Sequence, residues 1–530
     1  MHLPLDDSST RIGNEQEFFE TYKKAGNKPE RRMKDRMKHR LKVRIKFFPW
    51  ATLLSPILLA GCAIWQAPLQ RPSLEAAIAA PAAWQSPLPH NGKVSDLAAW
   101  WGGLNDPLLV QLIAGAQASS ASLADAQARI AQARATRVAA GAARGPSLDA
   151  SVSAGRGVQQ PDTSVANNLA AGVQAAWEAD LFGGKAAAGS AADARLQGAQ
   201  AAWHDARVSI AAEVATQYLN QRNCEAQLAV TLTDAKSRAD SSQLADLSAR
   251  AGFSAPATAQ LARASAAEAA ARVTELRAQC QRDVLILAAL IGTPLAEVQA
   301  VLSQNPPIAM DLIDRTALFS ISTLPAEVVA QRPDVFQAER EVAASSSDVT
   351  SIDALRMPRL SLLGSIGATQ ISAGGFTSEG ATWSIGPIAV TLPLYDGGVR
   401  AANVQAAQAR YDAAVVQYRS KARQAVAEVE IALLNLQSTA SRRGDSEAAA
   451  QGYRASFNAT QARYKSGLAS LVELEDARRT LLFAETALVN LQRERVAAWI
   501  TLYRAAGGGW TAAGNAVTLV AAPSQHLPRP

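Results

Sequence analysis

Three carboxylates stand within one helical turn of each other near the C-terminus of the chain. Residues 467–480 read GLASLVELEDARRT, which places Glu473, Glu475 and Asp476 together in a chain with only 18% charged residues. Carboxylates at this spacing repel one another, attract cations and raise one another's pKa. On a helix, Glu473 and Asp476 share a face, while Glu475 points about 160° away from Glu473. We therefore expect Glu473 and Asp476 to form one negative surface.

Each acid also has a local explanation. Ser470 and Glu473 have the spacing of a capping box, so Glu473 could serve only to close the start of a helix. Glu475 precedes Arg479 by four residues, the favourable order for an exposed ion pair. Asp476 has only the general preference for acids early in a helix. Asp476 is therefore the strongest candidate for a role beyond helix stability.

The sequence carries no pattern of a catalytic site. The segment GGKAAAGS at 183–190 lacks the leading glycine of a phosphate-binding loop, and no GxSxG motif occurs. The histidines after residue 62 are His90, His204 and His526, which are too scattered for a metal-ligand set. We therefore predict that the protein is not an enzyme and binds no metal ion.

Two of the three cysteines are symmetric about a glycine. Cys224 and Cys280 each lie 28 residues from Gly252, where we expect the chain to turn between two helices. Antiparallel helices would bring the two residues to a similar height. In an oxidising compartment they could form a disulfide if their Cα atoms come within about 7 Å. The alternative is two unrelated buried thiols.

The positive charge of the chain is concentrated at its N-terminus. Residues 1–61 hold 13 of the 52 Lys and Arg and 7 of the 46 Asp and Glu, which leaves 39 of each sign in the rest. The formal net charge of +6 therefore belongs to the leader. The neutral body has no electrostatic footprint for nucleic acid.

The basic leader precedes a short apolar run. KHRLKVRIK at 38–46 is followed by FFPWATLLSPILLAGC, the order of a secretory signal peptide. The run is broken by prolines and is shorter than the roughly 20 residues of a membrane-spanning helix. Its end, Leu59 to Cys62, resembles a lipobox, which predicts cleavage before Cys62 and a covalent lipid on that cysteine as the only cofactor. In such lipoproteins, Ala63 in place of Asp implies sorting to the outer membrane.

The remaining chain repeats itself. AADARLQGAQ at 191 recurs as AAQARYDAAV at 406, and LSARAG at 247 recurs as ARYKSG at 462, in each case 215 residues later. Self-similarity at a fixed and long offset predicts a tandem duplication of half-domains.

Each half predicts a pair of β-strands. Leu148 and Val152 alternate with polar residues such as Asp149, which is the period of a strand with one apolar face. We expect polar, glycine-rich loops at 156–167 and 371–380, each followed by a second strand. The aromatic side chains expected near strand ends are Trp177, Trp383 and Tyr395.

Long helices follow these strands. The stretch 186–247 has no proline and predicts a helix of about 60 residues, which would reach on the order of 90 Å. We expect a turn at Gly252, and at Gly467 in the second half, into a helix of about 35 residues. The four strands have the pattern of a transmembrane barrel, but known barrels start at about 8 strands. Several chains must therefore pool their strands, since every edge has to be paired in the membrane.

Six stretches of the chain together resemble a known family. They are WWGGLNDPLL at 100, WEADLFGG at 177, LPAEVVAQRPDVFQAE at 324, WSIGPIAVTLPLYDGG at 383, ARYKSGLASLVELEDARRTL at 462 and LYRAAGGGW at 502. Through them the mature chain resembles the TolC/OprM-type outer membrane factors, specifically the NodT-like lipoprotein branch that serves RND efflux pumps. The resemblance implies a mostly α fold with membrane β-strands: a homotrimer in outer membrane lipid, with four strands per chain in a shared 12-stranded barrel continued by a long α-helical barrel. It also implies docking on a periplasmic adaptor (membrane fusion) protein and an inner-membrane RND transporter.

The resemblance and the repeat together divide the chain into seven segments. These are an over-extended start or basic leader (1–36), the lipoprotein signal peptide (37–61), an N-terminal linker and anchor (62–105), the first efflux repeat (106–292), an equatorial linker (293–324), the second efflux repeat (325–507) and a C-terminal tail (508–530). Within the anchor segment we expect Trp100 and Trp101 to pack against the helices.

The resemblance assigns the acidic stretch to the periplasmic tip of the channel. Arg463 and Tyr464 resemble residues that hold this end closed through links to neighbouring helices, although packing and a solvated charge would explain them equally well. Three chains would present Glu473 and Asp476 as a ring of carboxylates around a narrow aperture. The first half departs from the family here, because GFSAPATAQLA at 252–262 carries no acid.

These observations favour one function and leave two alternatives. The favoured function is the outer membrane exit duct of a tripartite RND-type efflux pump for small toxic compounds or drugs. The first alternative is the outer membrane component of a type I protein secretion system, which the lipobox and the NodT-like stretches disfavour. The second is a lipid-anchored structural protein that spans the periplasm without a pore, which the predicted strands disfavour.

Overall fold

The structure, a computed structural model, describes residues 84–85, 100–104, 106–158, 165–305 and 325–510. The chain divides into two units, Met1–Pro68 and Leu69–Pro530, and every described residue belongs to the second unit. The predicted leader, the signal peptide and the lipidation site at Cys62 lie outside the described residues. Most of the linker 293–324 and of the tail 508–530 also lies outside them.

The described elements occur in the same order in both halves of the chain. In the first half they are α1 (Trp100–Gly103), α2 (Pro107–Ser119), α3 (Ala121–Ala142), β1 (Ser147–Val158), β2 (Val165–Ala179), α4 (Gly184–Arg250), α5 (Pro256–Ile291) and α6 (Leu295–Gln304). In the second half they are α7 (Pro325–Ala330), α8 (Pro333–Ala354), β3 (Arg359–Ala373), β4 (Phe376–Thr391), α9 (Val399–Lys465), α10 (Leu471–Ala505) and a 3₁₀ turn (Gly507–Gly509). A helix, two strands, a long helix and a returning helix therefore follow one another twice.

Two very long helices dominate the structure. α4 and α9 contain 67 residues each and thus extend for about 100 Å. The predicted long helix is confirmed, with a few more residues at each end. The chain turns in the left-handed region at Gly252 (φ +78°) and Gly467 (φ +72°), where a side chain would be strained. α5 then returns along α4, and α10 returns along α9, so each pair forms a helical hairpin. The first hairpin is α4–α5 and the second is α9–α10. α10 also contacts α4 of the first hairpin.

An aspartate marks the junction from strand to long helix in both halves. Asp180 accepts hydrogen bonds from the first backbone N–H groups of α4, including that of Lys185 at 3.0 Å. Asp396 does the same for α9, and the N–H of Arg400 lies 3.1 Å from its carboxylate. These bonds satisfy N–H groups that have no partner within the helix. They explain why DLFGG and LYDGG occupy equivalent places in the sequence.

The four strands form one antiparallel sheet in the order β1-β2-β3-β4. The strands are longer than predicted, so the expected loops at 156–167 and 371–380 are wrong in extent. In the second half only the pair Gly374 and Gly375 separates the strands. Polar residues continue the ladder instead of ending it, because their side chains bond across strands, as Gln370 does to Glu379 at 2.6 Å.

One face of the sheet is apolar and largely exposed. Val152, Trp383 and Ile385 point to this face with exposed fractions of 77%, 76% and 85%. Asp149 and Gln174 are paired on the opposite face. Trp383 lies in the middle of β4, so its predicted place near a strand end is wrong. The length of a strand depends on its pairing with neighbouring strands, which the position of one aromatic residue in the sequence does not reveal. A solvent-exposed apolar sheet face of this size needs an apolar environment.

The N-terminal segment is anchored in the main helical core. Trp100 stacks on Tyr503 of α10 with ring centroids 4.8 Å apart, and Trp101 meets the same ring edge-on at 4.8 Å. Both tryptophans are buried, which confirms their predicted packing role. Asp106 caps α2 and accepts a hydrogen bond of 2.7 Å from the buried Tyr218 hydroxyl of α4.

Within the described ranges, no individual helix combines the length and apolarity of a membrane span. α5 and α6 reach the length and apolarity of a membrane span only when they are taken together. The chain bends by 112° at the break between these two helices.

Candidate functional site at the hairpin tips

The acidic stretch lies at the start of α10, directly after the turn that joins it to α9. Ser470 is the N-cap of α10: its side chain accepts a hydrogen bond of 3.2 Å from the backbone N–H of Glu473. The carboxylate of Glu473 in turn accepts one of 2.6 Å from the backbone N–H of Ser470. The backbone N–H of Ser470, and then its hydroxyl, lower the pKa of Glu473 because both favour the ionised carboxylate. The predicted capping box is confirmed.

Asp476 is an exposed acid that does not cap the helix. Its side chain is 73% exposed, and in the described part of the chain its carboxylate approaches only Arg479, at 3.8 Å. Arg479 is 76% exposed, so this contact is a weak surface interaction. Asp476 therefore remains available to groups outside the chain.

Glu475 does not form the predicted exposed ion pair with Arg479. It is only 12% exposed and accepts a hydrogen bond of 2.6 Å from Arg238 of α4. Arg478, one turn further along α10, donates to its other oxygen. The predicted partner Arg479 is wrong because Glu475 faces α4 and α5, where it binds Arg238 and the i,i+3 neighbour Arg478 in a less polar environment than the exposed surface offers.

Four charged side chains, each at most 12% exposed, form what we term the inter-hairpin ion cluster: Asp234 and Arg238 on α4, and Glu475 and Arg478 on α10. Asp234 binds Arg238 at 2.9 Å and is 5% exposed, while Arg478 is 2% exposed. The two positive and two negative charges balance. A buried ion of this kind is tolerated only when it is paired and hydrogen-bonded.

Serine side chains complete the cluster. Arg478 donates to the hydroxyls of Ser237 at 3.0 Å and Ser241 at 2.8 Å, both on α4. Ser265 of α5 donates to Glu475 at 2.8 Å. Burial lowers the pKa of Arg478, the nearby Arg238 lowers it further, and Glu475 opposes both effects. The cluster therefore ties three helices from both hairpins together.

Arg463 and Tyr464 lie on the α9 side of the turn. Arg463 donates a hydrogen bond of 3.0 Å to the backbone carbonyl of Leu468, so it stabilises the turn itself. Tyr464 packs beside the apolar contact between Leu471 and Leu474 of α10, and burial raises its pKa. Both residues thus have roles within the chain, and their predicted links to neighbouring chains remain a prediction.

The sequence did not single out Asp234, Arg238 or Arg478. The two α4 residues stand more than 230 residues before Glu475, among many similar charges on a long helix. Arg478 stands three residues after Glu475, a spacing at which helix side chains meet, but the i,i+4 neighbour Arg479 is the predicted partner. Only the packing of α10 against α4 reveals the cluster.

The two cysteines of the first hairpin are joined. Cys224 of α4 and Cys280 of α5 form a disulfide in the structure, with their Cα atoms 5.5 Å apart. One turn further along α4, Gln227 donates a hydrogen bond of 2.6 Å to Asn490 of α10. The covalent link and the contact between hairpins therefore lie at the same level.

No group of three or more His, Cys, Asp or Glu among the described residues is arranged to hold a metal ion. The three acids of the stretch have different surroundings: Glu473 is exposed and caps the helix, Glu475 is 12% exposed and faces α4, and Asp476 is exposed without a capping role. The arrangement serves helix contact and surface charge.

Comparison with known proteins places this architecture in a family. A family model of outer membrane efflux proteins matches residues 112–293 and 324–508. Outer membrane protein OprJ of Pseudomonas aeruginosa is 30% identical over 430 residues, covering 79% of this chain and 88% of OprJ. The toluene efflux pump outer membrane protein TtgI of Pseudomonas putida is 27% identical over 417 residues, covering 77% and 87%.

A solved structure agrees with these relatives. The outer-membrane channel OprN superposes with a TM-score of 0.66 at 27% identity, covering 84% of this chain and 98% of OprN. The resemblance found in the sequence is confirmed, and the chain belongs to the outer membrane efflux protein family.

Proposed function

We propose that the protein is the outer membrane exit duct of a tripartite efflux pump of the RND type, which passes small toxic compounds or drugs to the exterior. The observation that carries this proposal is a sheet with one exposed apolar face joined directly to two helices of about 100 Å. TtgI and OprN, named as an efflux pump component and an outer-membrane channel, support it. Family members are channel proteins rather than enzymes.

The proposed assembly is a homotrimer with a shared 12-stranded barrel. β1 and β4 are the edge strands of the sheet in one chain. Unpaired backbone groups cost several kcal/mol each in hydrocarbon, so both edges need partners in a membrane. In the proposed trimer, β1 of each copy pairs with β4 of the neighbouring copy, which closes the barrel. The long helices of the three copies then form a continuous α-helical barrel. The repeated order of elements supports an origin by tandem duplication.

The proposed partners dock at the end farthest from the sheet. A periplasmic adaptor protein and an inner-membrane RND transporter would meet the tips of the α4–α5 and α9–α10 hairpins. We propose that a lipid on Cys62, which lies outside the described residues, anchors the chain in the outer membrane.

The proposed gate is a ring of acids at the hairpin tips. Asp476 is exposed at the start of α10, and three copies would bring three such carboxylates around the axis. Glu473 adds charge to this ring in addition to its capping role. Arg463 and Tyr464 would hold neighbouring helices together at the same level.

Conductance of the purified full-length protein in planar lipid bilayers tests the duct. A gated channel can be silent when it is closed, so the wild type is compared with Asp476→Ala combined with Arg463→Ala. We expect the double variant to conduct. Absence of conductance from both proteins at every voltage would favour a structural role without a pore.

A further inference from the structure

The apolar face of the sheet changes character at the end farthest from the long helices. The registers place Arg156 of β1 opposite Asn167 of β2, and Asn167 opposite Ser372 of β3. Directly opposite residues point to the same side of an antiparallel pair. Side chains two or four residues apart along a strand point to the same face, and Arg156 follows Val152 by four residues. Arg156 therefore lies on the apolar face.

The polar residues begin where an apolar band ends. Counted from the helices, five successive rows across this face carry only apolar side chains or glycine, and the fifth contains Val152 and Ala171. Five rows extend for about 27 Å along the strands, or roughly 20 Å for a typical strand tilt. This approaches the height of about 25 Å of the lipid-facing band in outer membrane barrels. The next rows contain Gln370 and then Arg156.

A cleft lies at this boundary. It has a volume of about 390 Å³, and side chains of Arg156, Asn167, Gln370 and Ser372 contribute to its lining together with Leu169. Arg156 has no ion-pair partner among the residues that the structure describes. A guanidinium and amides thus line the cleft beside an apolar surface, and the described lining residues include no carboxylate; Glu379 of β4 contacts the lining residue Gln370 from outside at 2.6 Å.

We propose that this cleft binds the phosphate-bearing sugar headgroup of the glycolipid that forms the outer leaflet of the outer membrane. The inference rests on the proposed function, since that function places this end of the sheet at the external surface. A guanidinium recognises phosphate through paired hydrogen bonds. The amides of Asn167 and Gln370 suit sugar hydroxyls, and the apolar rows below suit acyl chains.

A second copy of the chain is the alternative partner for Arg156. β1 is an edge strand, and Glu379 lies on β4, which would be the neighbouring edge in an oligomer. The geometry favours the lipid, because the cleft opens over β1, β2 and β3 and its polar groups converge there. Glu379 also already accepts a hydrogen bond of 2.6 Å from Gln370 of its own chain.

Native mass spectrometry of the purified full-length protein tests this site. The protein in detergent is offered equal amounts of bisphosphorylated lipid A and of the same lipid after enzymatic dephosphorylation. We expect the wild type to retain the phosphorylated form preferentially. Arg156→Gln should weaken that binding roughly fivefold, the factor that corresponds to about 1 kcal/mol per arginine near a charged lipid surface. Arg156→Lys should keep part of it.

Arg359 supplies the matched control, because it lies at the opposite end of the sheet, at the start of β3. Arg359→Gln should bind both lipids as the wild type does.

Two results would overturn the proposal: equal binding of the two lipids by the wild type, or a loss of lipid binding in Arg359→Gln as large as that in Arg156→Gln. Loss of oligomers in both Arg156→Gln and Glu379→Gln would assign Arg156 to the neighbouring copy instead. Conductance measured on the same samples tests the duct separately, so a channel without lipid preference refutes only this inference.

Discussion

Arg238 on α4 donates a hydrogen bond of 2.6 Å to Glu475 on α10, although 237 residues separate them in sequence. Arg478 donates to the same carboxylate and to Ser241 of α4. The two hairpins are therefore joined at the same turn of α10 that displays the exposed Asp476. The buried acid positions the helix that displays the exposed acid, so neighbouring residues in one acidic stretch have different roles.

Glu475→Ala should lower the free energy of unfolding by about 3 kcal/mol, since it leaves Arg238 and Arg478 without the carboxylate that balances their buried charge. This loss of stability lies at the lower end of the range of about 3–5 kcal/mol that is usual when one partner of a buried ion pair is removed, because Asp234 still binds Arg238. Denaturation followed by circular dichroism measures the change. The exposed Asp476→Ala is the matched control and should change stability by less than about 0.5 kcal/mol. Equal losses in both variants would contradict the assignment of Glu475 to the buried cluster.

The helices and their ends could be predicted from sequence because their causes are local. Ser470 and Glu473 are three residues apart, and Gly467 marks the turn before them. The partner of Glu475 on α4, Arg238, could not be predicted, because the local rule offers only Arg478 and Arg479 on the same helix. The strand ends were also missed: polar and glycine-rich composition predicted a loop, whereas Gln370 and Glu379 pair across the ladder.

Glu473→Gln should remove an acid-sensitive contribution to the start of α10. The folded-state pKa of Glu473 lies below its ordinary value of 4.5, so its ionised cap stabilises the helix above that pH. The contribution is lost as the pH falls through the lower folded-state pKa. Hydrogen exchange of the Ser470 amide, corrected for intrinsic rate, should therefore increase in the wild type on acidification. Glutamine keeps a capping oxygen that does not titrate, so exchange in the variant should not follow this transition.

Asp476→Asn is the control for that experiment, because it removes an acid three residues away that does not cap the helix. It should retain the acid response of the wild type. An unchanged response in Glu473→Gln would show that another group controls the tip.

Replacement of both cysteines, Cys224→Ser with Cys280→Ser, should lower the free energy of unfolding by up to about 4 kcal/mol. The disulfide closes a loop with a sequence separation of 56 residues, and its removal restores freedom to the unfolded chain. Denaturation with and without reductant measures the effect, and reduced wild type should approach the double variant. The wild type should also migrate differently from Cys224→Ser in a non-reducing gel. Identical mobility would contradict the bond.

Asp476→Ala should raise the conductance of the channel in planar bilayers and lower its preference for cations. In the proposed trimer, three exposed carboxylates surround the narrow tip, where they hold cations and support contacts that keep the tip closed. High salt should reduce the difference in conductance between variant and wild type, since exposed charges are screened within about 10 Å at 0.1 M.

Asp125→Ala is the matched control, because Asp125 is an exposed acid on α3, the helix that leads into β1. If both variants conduct as the wild type does, Asp476 does not line the aperture, and the closed end depends on Arg463, Tyr464 or helix packing instead.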